Sequence, residues 1–243
     1  MDADQPSVPR ERGAAADLVG WAAKVVDPAW RAVADGESRW PATIAIAIAV
    51  ALQLTLPLQF TIRPSWGIPA IEIAMGVGLI ISNPRRIDRF SVPLRRASLL
   101  LIGVLTATNS WSAFKLVRGL LHGEGHDPTR LLATGGAIWL TNMIAFALWY
   151  WEFDRGGPGR RIEDPSRYPD FLFPQMQSPE LVQPGWGSSF VDYLYLSFTN
   201  ATAFSPTDVL PMSRWAKLTM MLQSAVSLVT VALVIARAVN ILK

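Results

Sequence analysis

The sequence predicts an all-α membrane protein with about five transmembrane helices and one re-entrant, pore-like helix. Three observations carry that prediction. Of 243 residues, 51% are hydrophobic and only 17% charged, too apolar a balance for an ordinary soluble domain. Uncharged runs recur at the length, roughly 17 to 25 helical residues, that crosses a hydrocarbon core. Near the C-terminus, an aromatic-rich stretch from Tyr193 to Ala203 runs into a Pro-broken segment, Phe204 to Asp208, ahead of a long apolar run.

The elements follow in order. Residues 1–40 form a polar tail without a secretory apolar region, so no cleavable signal is expected. Within it, Leu18, Trp21, Ala22, Val25 and Val26 recur at helical spacing opposite Asp17, Lys24 and Asp27. That pattern fits an interfacial helix or a surface helix on the bundle. Residues 41–151 hold four expected spans, at 42–60, 68–82, 97–113 and 131–151. The second is shorter and interrupted by Glu72. The connector 152–188 is rich in Pro and Gly, which disfavours regular structure. Its Phe171, Leu172, Phe173, Met176 and Trp186 are too apolar for a free linker, so it is expected to cap the bundle beside the pore-like helix. Residues 189–243 contain that helix and a fifth span at 214–241. Trp40, Trp66, Trp149, Tyr150, Trp151 and Trp215 lie near span ends and read as interfacial anchors.

Charge placement bears on orientation. Lys24, Arg31 and Arg39, then Arg85, Arg86, Arg89, Arg95 and Arg96, then Arg155, Arg160, Arg161 and Arg167 share one side if four spans alternate. The other side carries only Arg63, Lys115, Arg118 and Arg130. Retained Lys and Arg mark the cytoplasm, so the N-terminus is expected inside. The net charge of +3 is topological in this reading and implies no nucleic-acid partner. It also places the segment before the pore-like helix in the cytoplasm. Either that module faces inward, or residues 190–204 cross fully to make six spans, or the connector translocates despite its arginines. The mouth of the module stays unassigned at this stage.

Candidate functional residues concentrate in the C-terminal module. Non-helical chain at membrane depth is tolerated only inside protein or along a watery cavity. Thr199, Thr202, Ser205, Pro206, Thr207 and Asp208 therefore form a candidate pore-like or filter-like set, with a plain interfacial turn as the alternative. On the last span, Ser224, Ser227 and Thr230 recur every three residues beside Gln223. Helix packing is the favoured role for that stripe, and pore lining the other. Glu72 is the acidic residue well inside an expected span and a possible intramembrane ion site. Gln53, Asn109, Thr141 and Asn142 are its candidate partners. His122, Glu124 and His126 have ligand chemistry, but the intervening glycines favour an exposed loop, and no metal is expected. The chain has no Cys, which excludes disulfides and thiolate sites. No nucleophile elbow, phosphate loop or dinucleotide fingerprint appears, so neither enzyme activity nor a cofactor is expected.

The run from Tyr193 to Asp208, then Pro211, Trp215 and Lys217, resembles the pore-helix and inner-helix module of two-transmembrane potassium channels. Anchored on Asp208, Ser197, Ala201 and Thr202 fall where such pore helices carry Ser, Ala and Thr, and Ser227 falls at the flexible inner-helix Gly. Ser205, Pro206 and Thr207 stand where the filter has two glycines flanking a Tyr. Those glycines permit backbone angles that Ser and Thr resist and that Pro forbids, so strong potassium selectivity is not expected. The chain is also similar to an uncharacterised bacterial multi-pass membrane-protein family that shares this ending, from Tyr193–Thr199 to Ala238-Val239-Asn240. These resemblances imply a bacterial inner-membrane protein in the lipid bilayer, forming a homo-oligomer, by resemblance a tetramer. It would pass a cation or small solute through an oligomeric pore. The alternative is a non-conducting structural or regulatory protein that retains the channel-like scaffold.

Overall fold

The computed structural model describes residues 37–82, 86–87, 90–123, 127–164, 167–182, 186–202 and 208–241. The proposed interfacial helix of the N-terminal tail lies outside them. The chain is an all-α membrane protein. Three of its helices, α3 (Val92–Leu121), α4 (Pro128–Phe153) and α8 (Arg214–Ile241), are long and apolar enough to cross a bilayer. Two shorter apolar helices, α1 (Trp40–Thr55) and α2 (Gly67–Ser82), precede them. Short α5 (Pro158–Glu163) and α6 (Pro174–Gln177) sit in the connector, and α7 (Phe190–Thr202) follows it. Strands β1 (Glu37–Ser38) and β2 (Arg86–Ile87) pair antiparallel, as do β3 (Phe171–Leu172) and β4 (Leu210–Pro211).

Helix limits follow local chemistry. The first span was expected to run through Phe60, but α1 stops at Thr55, with Leu56 extended at ψ 139°. Pro57 follows, and a residue before proline is driven out of the helical region. Residues 58–60 form only a 3-10 turn. At 16 residues, α1 and α2 each measure about 24 Å, less than a hydrocarbon core of about 30 Å. Conversely, α3 extends beyond both limits of the expected 97–113. Asp127 caps α4, accepting from the backbone N–H groups of Thr129 and Arg130, with Pro128 as the first helical residue.

Contacts between described residues fix the direction of each helix. At one end, which is rich in arginine, Glu37 before α1 meets Trp151 near the end of α4 and Phe190 at the start of α7. At the other end, Ser112 of α3 donates to the carbonyl of Phe60 after α1. Helices α4 and α8 are antiparallel. Phe153 stacks edge-on against Trp215, Tyr150 meets Gln223 and Trp139 meets Ser227. Further along, a Cβ at Gly135 would lie only 2.7 Å from a Val234 methyl. A side chain there would push the two helices apart, which is the use of small residues at membrane-helix crossings.

The connector is a cap, as its apolar residues predict. Phe171, Phe173 and Met176 are buried, with Phe171 and Phe173 packed edge-on against Tyr193 of α7. Pairing of β3 with β4 ties the cap to the segment leading into α8. The anchor reading needs correction for two residues. Tyr150 and Trp151 are buried and hydrogen-bonded inside the protein, because the cap covers the end of α4 that would otherwise meet headgroups. Trp40 and Trp66 are exposed, consistent with anchoring.

Candidate functional site: a short helix held against α8

Helix α7 has 13 residues, so it rises about 20 Å at 1.5 Å per residue, short of a bilayer core of about 30 Å. Its start is fixed by a box of polar contacts. Asp192 accepts from the backbone N–H and hydroxyl of Ser189, and the Phe190 N–H donates to Glu37 at 2.6 Å. From there α7 runs parallel to α8. Ser197 contacts Gln223, Asn200 contacts Ser224, and Ala201 contacts Ser227. Thr202 is at the deep end of α7, whereas Leu210–Pro211 pair with the cap at the arginine-rich end. The chain thus returns to the level where α7 began before α8 starts. The start of α7 and the start of α8 therefore lie at the same end of the bundle.

A helix end leaves its last carbonyls without intrahelical partners. In this chain hydroxyls supply them for Thr199, Asn200 and Ala201, and one amide adds a bond to the Ser197 carbonyl a turn earlier. Gln223 Nε2 donates to the Ser197 carbonyl at 3.0 Å and to its Oγ at 2.6 Å. Thr202 Oγ1 donates to the Thr199 carbonyl, Ser224 Oγ to that of Asn200, and Ser227 Oγ to that of Ala201 at 2.6 Å. The other face of Gln223 is saturated as well. Its Oε1 accepts from the Tyr150 hydroxyl at 2.6 Å and from Asn200 Nδ2 at 2.7 Å. Trp139 Nε1 donates to Ser227, and Ser197 Oγ donates to the Met143 carbonyl. The polar stripe of α8 is therefore the cap and clamp of α7. Thr230 lies outside this clamp, buried and bonded to Val226 of its own helix.

The expected site residues divide accordingly. Thr199, Thr202, Gln223, Ser224 and Ser227 come together along the α7–α8 contact. Asp208 is exposed at the arginine-rich end, and Ser205, Pro206 and Thr207 lie outside the described residues. Beneath the deep end of α7, an apolar groove of about 470 Å³ runs between α4 and α8, bordered by Trp139, Thr202, Ser227 and Val231. Much of α8, including Leu218, Met221, Leu222, Leu228 and Ile235, is exposed on the isolated chain.

A second polar cluster anchors the start of α7. Asp154, fully buried, accepts from the Tyr193 hydroxyl at 2.5 Å and from the backbone N–H groups of Asp170 and Phe171. Arg155 Nε lies 3.5 Å from it. Arg155 adopts φ 52°, ahead of Gly156 and Gly157 with φ 85° and 98°. Three left-handed residues in a row reverse the chain after α4, and the non-glycine one costs roughly 1–2 kcal/mol. Asp170 holds that turn, accepting from the Arg155 N–H on one oxygen and from Trp215 Nε1 on the other. Arg161 bridges Glu37 at 2.9 Å and the carbonyls of Trp151 and Asp154. Burial pushes the Glu37 carboxyl above its ordinary pKa, against the opposing pull of Arg161 and donors from Trp151 and Phe190.

Asn200 and Asp154 are structural participants that sequence reading left unassigned, while Tyr150 was read as an anchor and Tyr193 only as the start of the short helix. An amide inside the aromatic stretch at Asn200 is the available signal, since an isolated polar group there needs a buried partner. Glu72, the candidate ion-site residue, is fully buried and is paired with Gln53. Thr141 bonds within α4. Of the possible loop ligands, His122 contacts the Arg118 carbonyl, while Glu124 and His126 lie outside the described residues. No protein-family model, curated protein or solved structure matches this chain.

Proposed function

We propose that this chain is a channel-like integral membrane protein that passes a cation or small solute through an oligomeric pore. The observation that supports the reading best is the parallel α7–α8 pair, entered and left from one end, with the deep carbonyls of α7 capped from α8. In this proposal α1, α2, α3, α4 and α8 make five crossings and α7 is the pore-like helix. The negative end of the α7 dipole points to membrane depth, which favours a cation over an anion there. Asp208 at the return of the loop adds to that preference. The exposed faces of α7 and α8 would meet neighbouring subunits, four by analogy with the channel module.

The same proposal places the arginine-rich end in the cytoplasm of a bacterial inner membrane, so the loop opens inward. The test uses single cysteines in a chain that has none of its own. A Cys replacing Tyr168, 78% exposed, should react with an impermeant maleimide only in inverted vesicles, and one replacing Arg130 only in right-side-out cells. The reverse pattern would turn the module outward.

Conduction is tested by flux through purified protein in liposomes with potassium, sodium and chloride. Cation flux above empty liposomes, without strong potassium preference, is expected, and Asp208→Asn should reduce it several-fold. Absence of flux from an intact oligomer would favour the second reading, a non-conducting structural or regulatory scaffold. One observation supports that alternative: Gln223, Ser224 and Ser227 already bond within the single chain.

A further inference from the structure

At the arginine-rich end, a crevice of about 40 Å³ opens between the starts of α1 and α3 and the turn that follows α4. Its walls include Arg39, Phe90, Ser91, Arg95, Ser98 and Glu152. That is room for about three water-sized spheres. No hydrogen bond or salt bridge among the described residues holds the guanidinium of Arg39 or of Arg95. The Nε of Arg95 is buried and lacks a hydrogen-bond partner, a rare condition for a native polar atom. Both arginines act electrostatically on Glu152.

The charges around the crevice leave an excess. Glu152 is buried, takes a hydrogen bond from Ser98 and is opposed by Arg161, Arg95 and Arg39. Arg161 itself bridges Glu37, and the nearby Asp154 is matched by Arg155. Three arginines thus meet two glutamates, which leaves one positive charge in a partly buried setting. At the rim the charges cancel, since Arg160 stacks over the Phe90 ring at 4.3 Å and Glu163 accepts the Phe90 N–H. Ser91 precedes α3 without a side-chain cap bond, so the start of that helix adds partial positive charge.

We propose that this crevice binds one singly charged phosphate group, of the kind a phospholipid headgroup carries at the membrane surface. A phosphate monoanion supplies the missing charge, and its oxygens accept from the planar N–H fork that makes arginine the preferred phosphate partner. The lining residues Arg39 and Ser91 are followed directly by Trp40 and Val92, which are exposed. Apolar surface beside a basic crevice suits an acyl chain and its headgroup together. Free phosphate shares the headgroup chemistry, and the test separates the two sources.

Native mass spectrometry of the purified full-length chain, delipidated in detergent and titrated with short-chain phosphatidylglycerol, tests the site. One retained phosphatidylglycerol per chain is expected. Diacylglycerol of the same chain length, which lacks the charge-assisted bonds, should be held roughly tenfold more weakly. Arg95→Gln and Arg39→Gln should each weaken retention several-fold, whereas Arg130→Gln, exposed at the opposite end, should leave it unchanged. Saturable binding of inorganic phosphate with the same arginine dependence, and none of phosphatidylglycerol, would keep the site and assign it to the free ion. Equal retention of diacylglycerol, or retention unaltered in folded Arg95→Gln and Arg39→Gln, would overturn the proposal. So would the absence of saturable binding of either phosphate source to the wild-type chain, which carries the test if both variants aggregate. Retention is read without flux, so this site stands or falls independently of whether the α7–α8 module conducts.

Discussion

Asp154→Ala is expected to destabilise the folded chain by about 3–5 kcal/mol, the cost of removing one partner from a buried charge network. The carboxylate is inaccessible and receives a hydroxyl and two backbone N–H groups, with a guanidinium alongside. Its loss removes the carboxylate partner of the Tyr193 hydroxyl, leaving only Ser188, and leaves Arg155 and Arg161 less compensated in the interior. It also frees the Asp170–Phe171 backbone, and through it the β3–β4 pairing that positions the start of α8. Asp154→Asn keeps an acceptor for those N–H groups but not the charge, and should fall between wild type and the Ala variant. Thermal unfolding in detergent, followed by the monodisperse fraction on size exclusion, reads the effect. Arg130→Ala, whose side chain is 87% exposed, is the control. A midpoint for Asp154→Ala equal to that control would show that the cluster does not hold the fold together.

Gln223→Leu should have the next largest effect, because one amide serves three helices. The substitution removes both bonds to Ser197 and both acceptor contacts to Tyr150 and Asn200. Each buried polar group left without a partner costs about 1–3 kcal/mol, so a loss of several kcal/mol is expected despite the better hydrophobicity of Leu. The same bonds clamp α7, so its amides should lose hydrogen-exchange protection well before those of α3. Gln223→Glu keeps the acceptor side and loses the donor, removing only the two bonds to Ser197. Wild-type protection of α7 in Gln223→Leu would mean that apolar packing alone keeps the short helix in place.

The long helices were legible because α3, α4 and α8 carry uncharged runs whose length alone defines them. The stop at Thr55 was also written in the chain, in the Leu56-Pro57 pair, but the apolar run continuing to Phe60 masked it. The short helix α7 was legible from its aromatics and the following proline. Its clamp was only half visible. Ser224, Ser227 and Gln223 stood out by spacing on one helix, whereas Asn200 and Tyr150 lie on two others, and no periodicity links them. The Asp154 cluster was hidden for a different reason. Arg155 and Arg161 counted as solvent-facing topology charges, and only the cap over the end of α4 turns them into interior ion partners. Glu72 was recognisable as an intramembrane acid, yet its pairing with Gln53 depends on how α1 and α2 cross.

The dependence of α7 on α8 also orders events during synthesis. When residues 190–202 leave the ribosome, the hydroxyls of Ser224 and Ser227 that complete the helix end have not been made. At about 5–20 residues per second, the interval is of order seconds. Until then the end of the segment lacks the partners that α8 supplies. The preceding bundle can form meanwhile, with Glu37, Asp154 and the aromatic cap making a cradle for the start of α7. Docking of the short helix is thus completed late, by the arrival of α8, and a chain interrupted before Gln223 would leave α7 without its clamp.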